Sequence, residues 1–172
     1  MRTRKITLIA SLTAVALTIF IIEAQIPPIV PIPGIKMGLA NVITLFATMT
    51  LGRKDAFVIL LLRILLGSIF AGGVMSLMYS LGGGLICFLL MSAAVCIMSE
   101  NMIWCISVIG AIGHNIGQIA VAVFVTHTVQ IAWYLPVLMI SAIITGLFTG
   151  LLTQILLKHG NGIIRKVLDV KK

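Results

Sequence analysis

Long apolar stretches separated by short polar turns occupy almost the whole chain, and this succession restricts the fold more than any other feature. A helix that crosses the roughly 30 Å hydrocarbon core of a bilayer needs about 20 apolar residues. Backbone polar groups in lipid must be satisfied within the segment, which favours helices. Of the 172 residues, 60% are hydrophobic and 9% are charged. The sequence therefore predicts an all-α, multi-pass integral protein of the cell membrane.

Charged residues and helix breakers divide the chain into six predicted transmembrane helices, which form a single domain over residues 1–172. The helices are placed at Ile6–Ile22, Met37–Leu51, Ala56–Phe70, Leu77–Met98, Ile103–Val125 and Trp133–Leu157. The second and third are short, so we expect them to be tilted or partly inserted. No small-x-small cleavage site precedes Glu23, which favours an uncleaved first span over a secretory signal.

The basic residues predict the orientation of this bundle. All of the 12 lysines and arginines except Lys36 and Arg63 fall on one side of the six-helix arrangement. Basic loops stay in the cytoplasm, so both termini and the basic tail, residues 158–172, are predicted to be cytoplasmic. The net charge of +8 then faces anionic lipid headgroups. The chain has no nucleic-acid-binding motif, and membrane lipid is the expected partner of this charge.

The connection between the first two predicted helices, about residues 24–36, is then extracytoplasmic. It lies within the sequence EAQIPPIVPIPGIKMGLAN, which runs from Glu23 to Asn41 and contains four prolines in an apolar setting. Closely spaced prolines favour a stiff, polyproline-like conformation over a flexible tether. We expect this segment to form a lid over a site on the outer face.

Lys36 and Arg63 are the two basic residues on which a binding function can depend. Lys36 precedes the second predicted helix, where the exposed N–H groups and the helix dipole favour an anion; alternatively, it snorkels to lipid phosphate. Arg63 lies roughly 12 Å into the third helix, counted from Asp55. A cation at this depth usually faces a partner or an aqueous cavity. We favour a ligand-linked role for Arg63 over a buried ion pair or carbonyl contacts that lock helices together. For an ion pair, Glu23 is the nearest counter-ion by depth.

Polar residues in the second and fifth predicted helices indicate a polar cavity. In GAIGHNIGQ, His114 and Gln118 share a helix face, and Asn115 is turned about 100° away. Asn41 can face the same cavity, whereas a lone membrane histidine is more commonly a hydrogen-bonded core residue. Tyr79 can add an aromatic wall, although interfacial anchoring is its more common role. The candidate ligand-binding residues are Lys36, Asn41, Arg63, Tyr79, His114, Asn115 and Gln118.

Small residues predict where helices approach each other. Ala10 and Ala14 are four residues apart in the first helix and form a flat surface for another helix, in this chain or in a partner. The fifth and sixth helices carry glycines with the same effect: Gly110, Gly113, Gly117, Gly146 and Gly150. For Thr44 and Thr48, bonding across helices is preferred to a ligand-binding role.

Catalytic chemistry has little support in the sequence. The chain has four carboxylates, and no two of them are close in sequence. It lacks an aspartate-rich magnesium motif, a P-loop and an HExxH helix, and its cysteines lack metal-ligand spacing. We therefore expect no catalytic residue, no metal site and no cofactor, and we do not expect the chain to be an enzyme by itself.

Four motifs resemble one known family. PIPGIKMGLANVITL, LLRILLGSI, LMYSLGGGL and GAIGHNIGQ resemble the membrane proteins known as heptaprenyl diphosphate synthase component I, also called the Gx transporter family. That family is similar in size and six-helix layout to the substrate-binding S components of energy-coupling factor transporters. The resemblance implies a ligand site beneath the loop between the first two helices. It also implies that Ala10 and Ala14 dock on a transmembrane coupling subunit.

Two functions follow as hypotheses. The leading one is a substrate-binding subunit for uptake of a small anionic or amphipathic, vitamin- or isoprenoid-like molecule, with a transmembrane coupling subunit and ATPases as partners. The alternative is a non-catalytic membrane subunit of heptaprenyl diphosphate synthase, with a prenyltransferase as partner. A structural scaffold without a ligand is the third possibility.

Overall fold

The computed structural model describes residues 2–26, 36–71 and 73–168. Within these ranges the chain is helical and contains no strand. The α-helices are α1 (Arg2–Ala24), α2 (Asn41–Thr50), α3 (Arg53–Ala71), α4 (Gly73–Ile97), α5 (Ile103–Thr126) and α6 (Leu135–Leu168). Short 3-10 turns, Glu100–Met102 and Val129–Tyr134, precede α5 and α6.

The helices have the lengths and composition of a membrane protein. Four stretches are long and apolar enough to cross a bilayer: Thr3–Ala24, Gly73–Ile97, Ile103–Thr126 and Val129–Gly160. Helix α3 is of similar length but carries several charged residues, and α2 has 10 residues, or a length of about 15 Å. The predicted all-α class is confirmed, and the length and composition of these four helices support the membrane assignment. Six crossings and cytoplasmic termini remain predictions.

Helix α2 lies at the centre of the bundle, and the other helices surround it in the order α1, α3, α4, α5, α6. All eight residues from Asn41 to Thr48 are buried, as expected for a helix without a solvent-facing side. Helices α4, α5 and α6 pack closely in sequence order, whereas α1 and α6 touch only lightly where the ring closes. The site described below lies at the N-terminal end of this central helix.

The predicted glycine contacts are confirmed. A Cβ atom on Gly117 of α5 would lie 2.3 Å from the carbonyl oxygen of Gly82 in α4. Gly146 of α6 approaches the backbone of Val108, and Gly150 approaches that of Trp104. Since any side chain at these positions would separate the backbones, the glycines set the spacing between α4, α5 and α6.

Several helix limits differ from the predicted ones. Helix α2 begins at Asn41 rather than Met37, because Gly38 has a φ of +83°, which is incompatible with a right-handed helix. Helix α6 continues to Leu168, so the first part of the predicted basic tail is helical. A Cβ on Gly160 would lie 3.1 Å from the Phe46 ring, which shows that the bundle still supports α6 there. Most of the proline segment, residues 27–35, lies outside the described residues.

One end of the bundle collects basic residues near the starts of α1 and α3. Lys5 Nζ lies 2.8 Å from a carboxylate oxygen of Asp55, and the Arg53 guanidinium contacts Cys96 Sγ near the end of α4. Glu23 lies at the opposite end of α1, where the connection to α2 begins. The predicted separation of basic loops from the proline-rich connection is therefore compatible with the packing of α1, α3 and α4.

Candidate functional site

The connection between α1 and α2 enters the interior of the bundle before α2 begins. Asn41, the first residue of α2, accepts a hydrogen bond of 3.1 Å from Arg63 Nη2 in the middle of α3. Helix α2 therefore begins partway along α3, and residues 36–40 lie in non-helical conformation among the helices. At membrane depth, such backbone is tolerated only where it is buried in protein and its polar groups are satisfied.

Buried side chains satisfy this backbone. Glu23 Oε1 accepts a hydrogen bond of 2.5 Å from the N–H of Gly38. With its amide oriented as the neighbouring donors and acceptors require, Gln118 accepts from the N–H of Lys36 at 3.1 Å and donates to its carbonyl oxygen at 3.0 Å. The same Gln118 oxygen accepts from His114 Nε2 at 3.2 Å. A carboxyl group of the chain itself, that of Glu23, thus lies near the start of α2, and binding of a further anion beside Lys36 remains a prediction.

Gly38 allows the connection to turn tightly beside His114. Its positive φ is one that other residues rarely adopt. A Cβ at this position would lie 2.8 Å from Asn41 Nδ2 and 2.9 Å from His114 Cδ2. Both the backbone conformation and the lack of space therefore require glycine here.

The Lys36 side chain lies between α1 and α4. Its Nζ donates to Ser76 Oγ at 3.2 Å and lies 3.5 Å from the centroid of the Phe20 ring, a cation–π geometry. These contacts direct the half-buried side chain towards α1 and α4, while the choice between a bound ligand and lipid phosphate remains a prediction.

Arg63 is buried, with 3% of its surface exposed. Its guanidinium donates to Asn41 rather than forming a direct ion pair with Glu23. Its Nε has no hydrogen-bond partner within the described part of the chain. A buried cation whose hydrogen bonds are incomplete is costly unless another group binds it. The partnerless Nε is therefore compatible with a ligand-linked role for Arg63, which remains a prediction.

These groups surround a small cavity at the end of the bundle where the proline segment begins. Its centre has room for about one water molecule. Two cations, Lys36 and Arg63, face one carboxylate, Glu23. The wall therefore carries an excess of positive charge together with hydrogen-bonding groups. The lining residues are Phe20, Glu23, Lys36, Gly38, Arg63, Ser80, His114 and Gln118.

Most of the predicted site residues meet at this cavity. Lys36, Arg63, His114 and Gln118 line it together with Glu23, while Asn41 touches it through Arg63. Whether these residues bind a ligand remains a prediction.

Two predicted residues do not line the cavity. Asn115 Nδ2 donates to the carbonyl oxygen of Leu138 in α6 at 2.7 Å, because its position on α5 is turned away from that of His114. Tyr79 is buried in α4 but is absent from the lining. Their ligand-binding roles remain untested predictions.

The sequence interpretation missed Phe20, Ser80 and Gly38 as lining residues. The signals were present, since Phe20 precedes Glu23 by one helical turn, and Ser80 follows Ser76 by one turn on the inner face of α4. Neither pair was distinguishable from ordinary packing without the fold. The position of Gly38 depends on His114, which is remote in sequence.

The predicted docking residues lie on the outside of the bundle. Ala10 and Ala14 are both exposed on α1, so no helix of the described chain covers them; their docking role remains a prediction. Among residues 2–26, 36–71 and 73–168, no three His, Cys, Asp or Glu side chains group closely enough to hold a metal ion.

Comparison with known proteins identifies the family. The sequence profile of the family described as heptaprenyl diphosphate synthase component I matches residues 12–156. Because this match covers most of the chain, the protein belongs to that family, and the resemblance of the four motifs is confirmed. The description names one component of a synthase, which implies a partner subunit. No curated protein and no solved structure matches the chain.

Proposed function

We propose that this member of the heptaprenyl diphosphate synthase component I family is a membrane-embedded binding subunit for a small anionic or amphipathic molecule. The molecule is vitamin- or isoprenoid-like and is taken up from the outer side. The observation that supports the proposal is the cavity beneath the α1–α2 connection, in which Lys36 and Arg63 face the single carboxylate of Glu23.

The charge balance of the cavity favours an anion. One of the two cations is not neutralised by Glu23, and an unpaired buried charge costs several kcal/mol in a membrane bundle. An anionic group between Lys36 and Arg63 would neutralise it and would offer acceptors to the partnerless Arg63 Nε. His114, Gln118 and Ser80 supply further polar groups that can orient the ligand.

Binding requires the connection to move, because the cavity is closed to anything much larger than water. The hydrogen bonds from Gly38 to Glu23 and from Lys36 to Gln118 hold it in place. Displacing residues 36–40 would open the cavity and free both Glu23 and Gln118. In this proposal the ligand lies beneath the connection that contains the proline segment.

For uptake, the chain acts as the binding subunit of a larger transporter. It has no P-loop, so ATP hydrolysis belongs to separate subunits. The exposed Ala10 and Ala14 of α1 are the proposed contact with a transmembrane coupling subunit. This part of the proposal depends on the resemblance to S components.

The family description favours a second candidate function, namely a non-catalytic membrane subunit of heptaprenyl diphosphate synthase. The same cationic cavity would then bind the charged group of an isoprenoid substrate or product for a prenyltransferase partner. Catalysis would stay with that partner, since the chain has no aspartate-rich motif.

Binding of an isoprenoid phosphate tests the proposal. We expect dimethylallyl phosphate, but not dimethylallyl alcohol, to bind the purified protein in lipid nanodiscs, as measured by isothermal titration calorimetry. Lys36→Gln removes one cation from the cavity and should weaken binding of the phosphate about 10-fold or more, since hydrogen bonds to charged groups contribute about 1.5–3 kcal/mol. Lys54→Gln, a charge removal at an exposed site on α3, is the matched control and should have no effect.

Equal binding of phosphate and alcohol, or equal loss in the two variants, would refute a cationic binding site. Proteins that copurify in mild detergent separate the two functions. A coupling subunit with ATPases supports uptake, whereas a prenyltransferase supports the synthase subunit. Mass spectrometry of molecules retained during this purification identifies the natural ligand.

A further inference from the structure

A second cavity adjoins the cationic one and lies deeper in the bundle. The two share Gly38 in their walls, and Asn41, which binds Arg63, lines the second. On α4 the second cavity is lined by Cys87 and Met91 rather than Ser80. Since α4 rises about 1.5 Å per residue, Cys87 and Met91 lie about 10–16 Å further along α4 from the Glu23 end than Ser80 does.

The hydroxyl groups around the second cavity already have partners. Ser107 Oγ and Thr149 Oγ1 bond each other at 2.7 Å. Thr145 Oγ1 donates to the carbonyl oxygen of Ser141 at 2.9 Å, and Asn41 Oδ1 accepts from Arg63. The hydroxyl groups are therefore occupied within the protein, and they offer little to a polar ligand.

The remaining lining is apolar and adaptable. It consists of Met37, Cys87, Met91 and Ala111 together with the methylene of Gly38. Unbranched methionine side chains adjust to the shape of an apolar group more readily than branched ones. The lining contains no carboxylate and lies beside the partner of a buried arginine, so it does not suit a cation. The chemistry of this wall suits a short hydrocarbon group. The centre of the cavity has room for about one water molecule, so such a group enters only when the connection, which contributes Met37 and Gly38 to the wall, moves as proposed above.

We propose that the second cavity receives the apolar part of a ligand whose anionic group lies at Lys36 and Arg63. This inference rests on the proposed binding function and specifies its substrate class, an amphipathic anion with a short apolar chain. The anionic group lies towards the Glu23 end of the bundle. The chain extends into the space that Met37 and Gly38 leave when the connection moves, between α2, α4, α5 and α6.

A series of alkyl phosphates tests the inference. Methyl, butyl and hexyl phosphate are compared with inorganic phosphate on the protein in nanodiscs by calorimetry. Binding should tighten by up to about fourfold for each methylene that becomes buried, until the cavity is filled. Ala111→Leu places a larger side chain in the cavity and should abolish this gain while leaving the affinity for methyl phosphate within about twofold. Ala120→Leu, at an exposed position on the same helix, is the matched control.

Met91→Ala is the reciprocal variant. It enlarges the cavity, so the chain length that binds most tightly should increase, and this result does not depend on whether Ala111→Leu folds. If methyl phosphate binds through Lys36 but chain length has no effect, the inference is wrong and the proposed function stands. Equal weakening of every probe by Ala111→Leu also overturns the inference. If no phosphate binds at all, both proposals fail.

Discussion

Gln118 is the residue that holds the α1–α2 connection most directly. It is completely buried, and its amide satisfies both the N–H and the carbonyl oxygen of Lys36. Gln118→Leu keeps a similar volume but leaves both backbone groups without a partner, at a cost of about 1–3 kcal/mol each. We expect a clear fall in the thermal unfolding midpoint of the protein in nanodiscs.

Gln154→Leu provides the comparison, because Gln154 is exposed on α6 and has no backbone to support. This variant should unfold at nearly the wild-type temperature. If both substitutions have the same effect, Gln118 does not stabilise the connection.

At the scale of single residues, the sequence predicts which polar side chains share a helix face. It does not predict which of these side chains bond to each other. Helix periodicity places His114 and Gln118 on one face and Asn115 on another, and the structure follows that division. Depth in the membrane made Glu23 a candidate partner of Arg63, yet Arg63 donates to Asn41. That choice depends on where α2 begins, which is set by contacts between residues far apart in sequence.

Among the elements, the turn that leads into α2 sets the position of the central helix. Gly38 in this turn and Gly52 after α2 both have positive φ, +83° and +90°. Alanine at either position incurs a backbone cost of roughly 1–2 kcal/mol. Only at Gly38 would the new Cβ also crowd Asn41 and His114, since nothing lies within 4 Å at Gly52. Gly38→Ala should therefore destabilise the protein by about 1–3 kcal/mol more than Gly52→Ala.

Unfolding in a denaturant series, with both variants in the same nanodiscs, measures this difference. Since Gly38 also lies between the two cavities, its alanine variant should weaken binding of hexyl phosphate, whereas Gly52→Ala should not. Equal stability and equal binding for the two variants would show that the turn is not packed against His114 as described.

The same elements show why some helix limits were predictable and others were not. The limits of α5 follow from apolar residues and flanking polar turns, and its predicted start at Ile103 is confirmed. The start of α2 cannot be placed in this way, because Met37 to Ala40 are as apolar as the helix they precede. Their non-helical conformation depends on Glu23 and Gln118. Likewise, α6 extends beyond Leu157 because Gly160 packs on Phe46, a contact that one sequence segment does not reveal.

For the whole molecule, the arrangement around α2 explains how a helix of about 15 Å belongs to a membrane bundle. Helix α2 begins beside the middle of α3, and the non-helical residues 36–40 lie among the helices before it. This arrangement places the turn between α2 and α3 at the end that holds the Lys5–Asp55 ion pair. The turn after α5, with exposed Trp133 and Phe124 nearby, lies at the opposite end, where aromatic residues can anchor at the interface.

Cysteine labelling in cells tests this sidedness. In a background where Cys87, Cys96 and Cys105 are replaced by alanine, a membrane-impermeant maleimide should label Thr128→Cys in intact cells. It should label Lys54→Cys only after the membrane is permeabilised, because basic residues beside a span are retained in the cytoplasm. Both positions are exposed, so a difference in labelling reports the side of the membrane rather than burial.

Labelling of Lys54→Cys in intact cells would place the α2–α3 turn outside. The cationic cavity would then lie towards the cytoplasmic side, which would exclude uptake from outside and favour the synthase subunit over the transporter subunit.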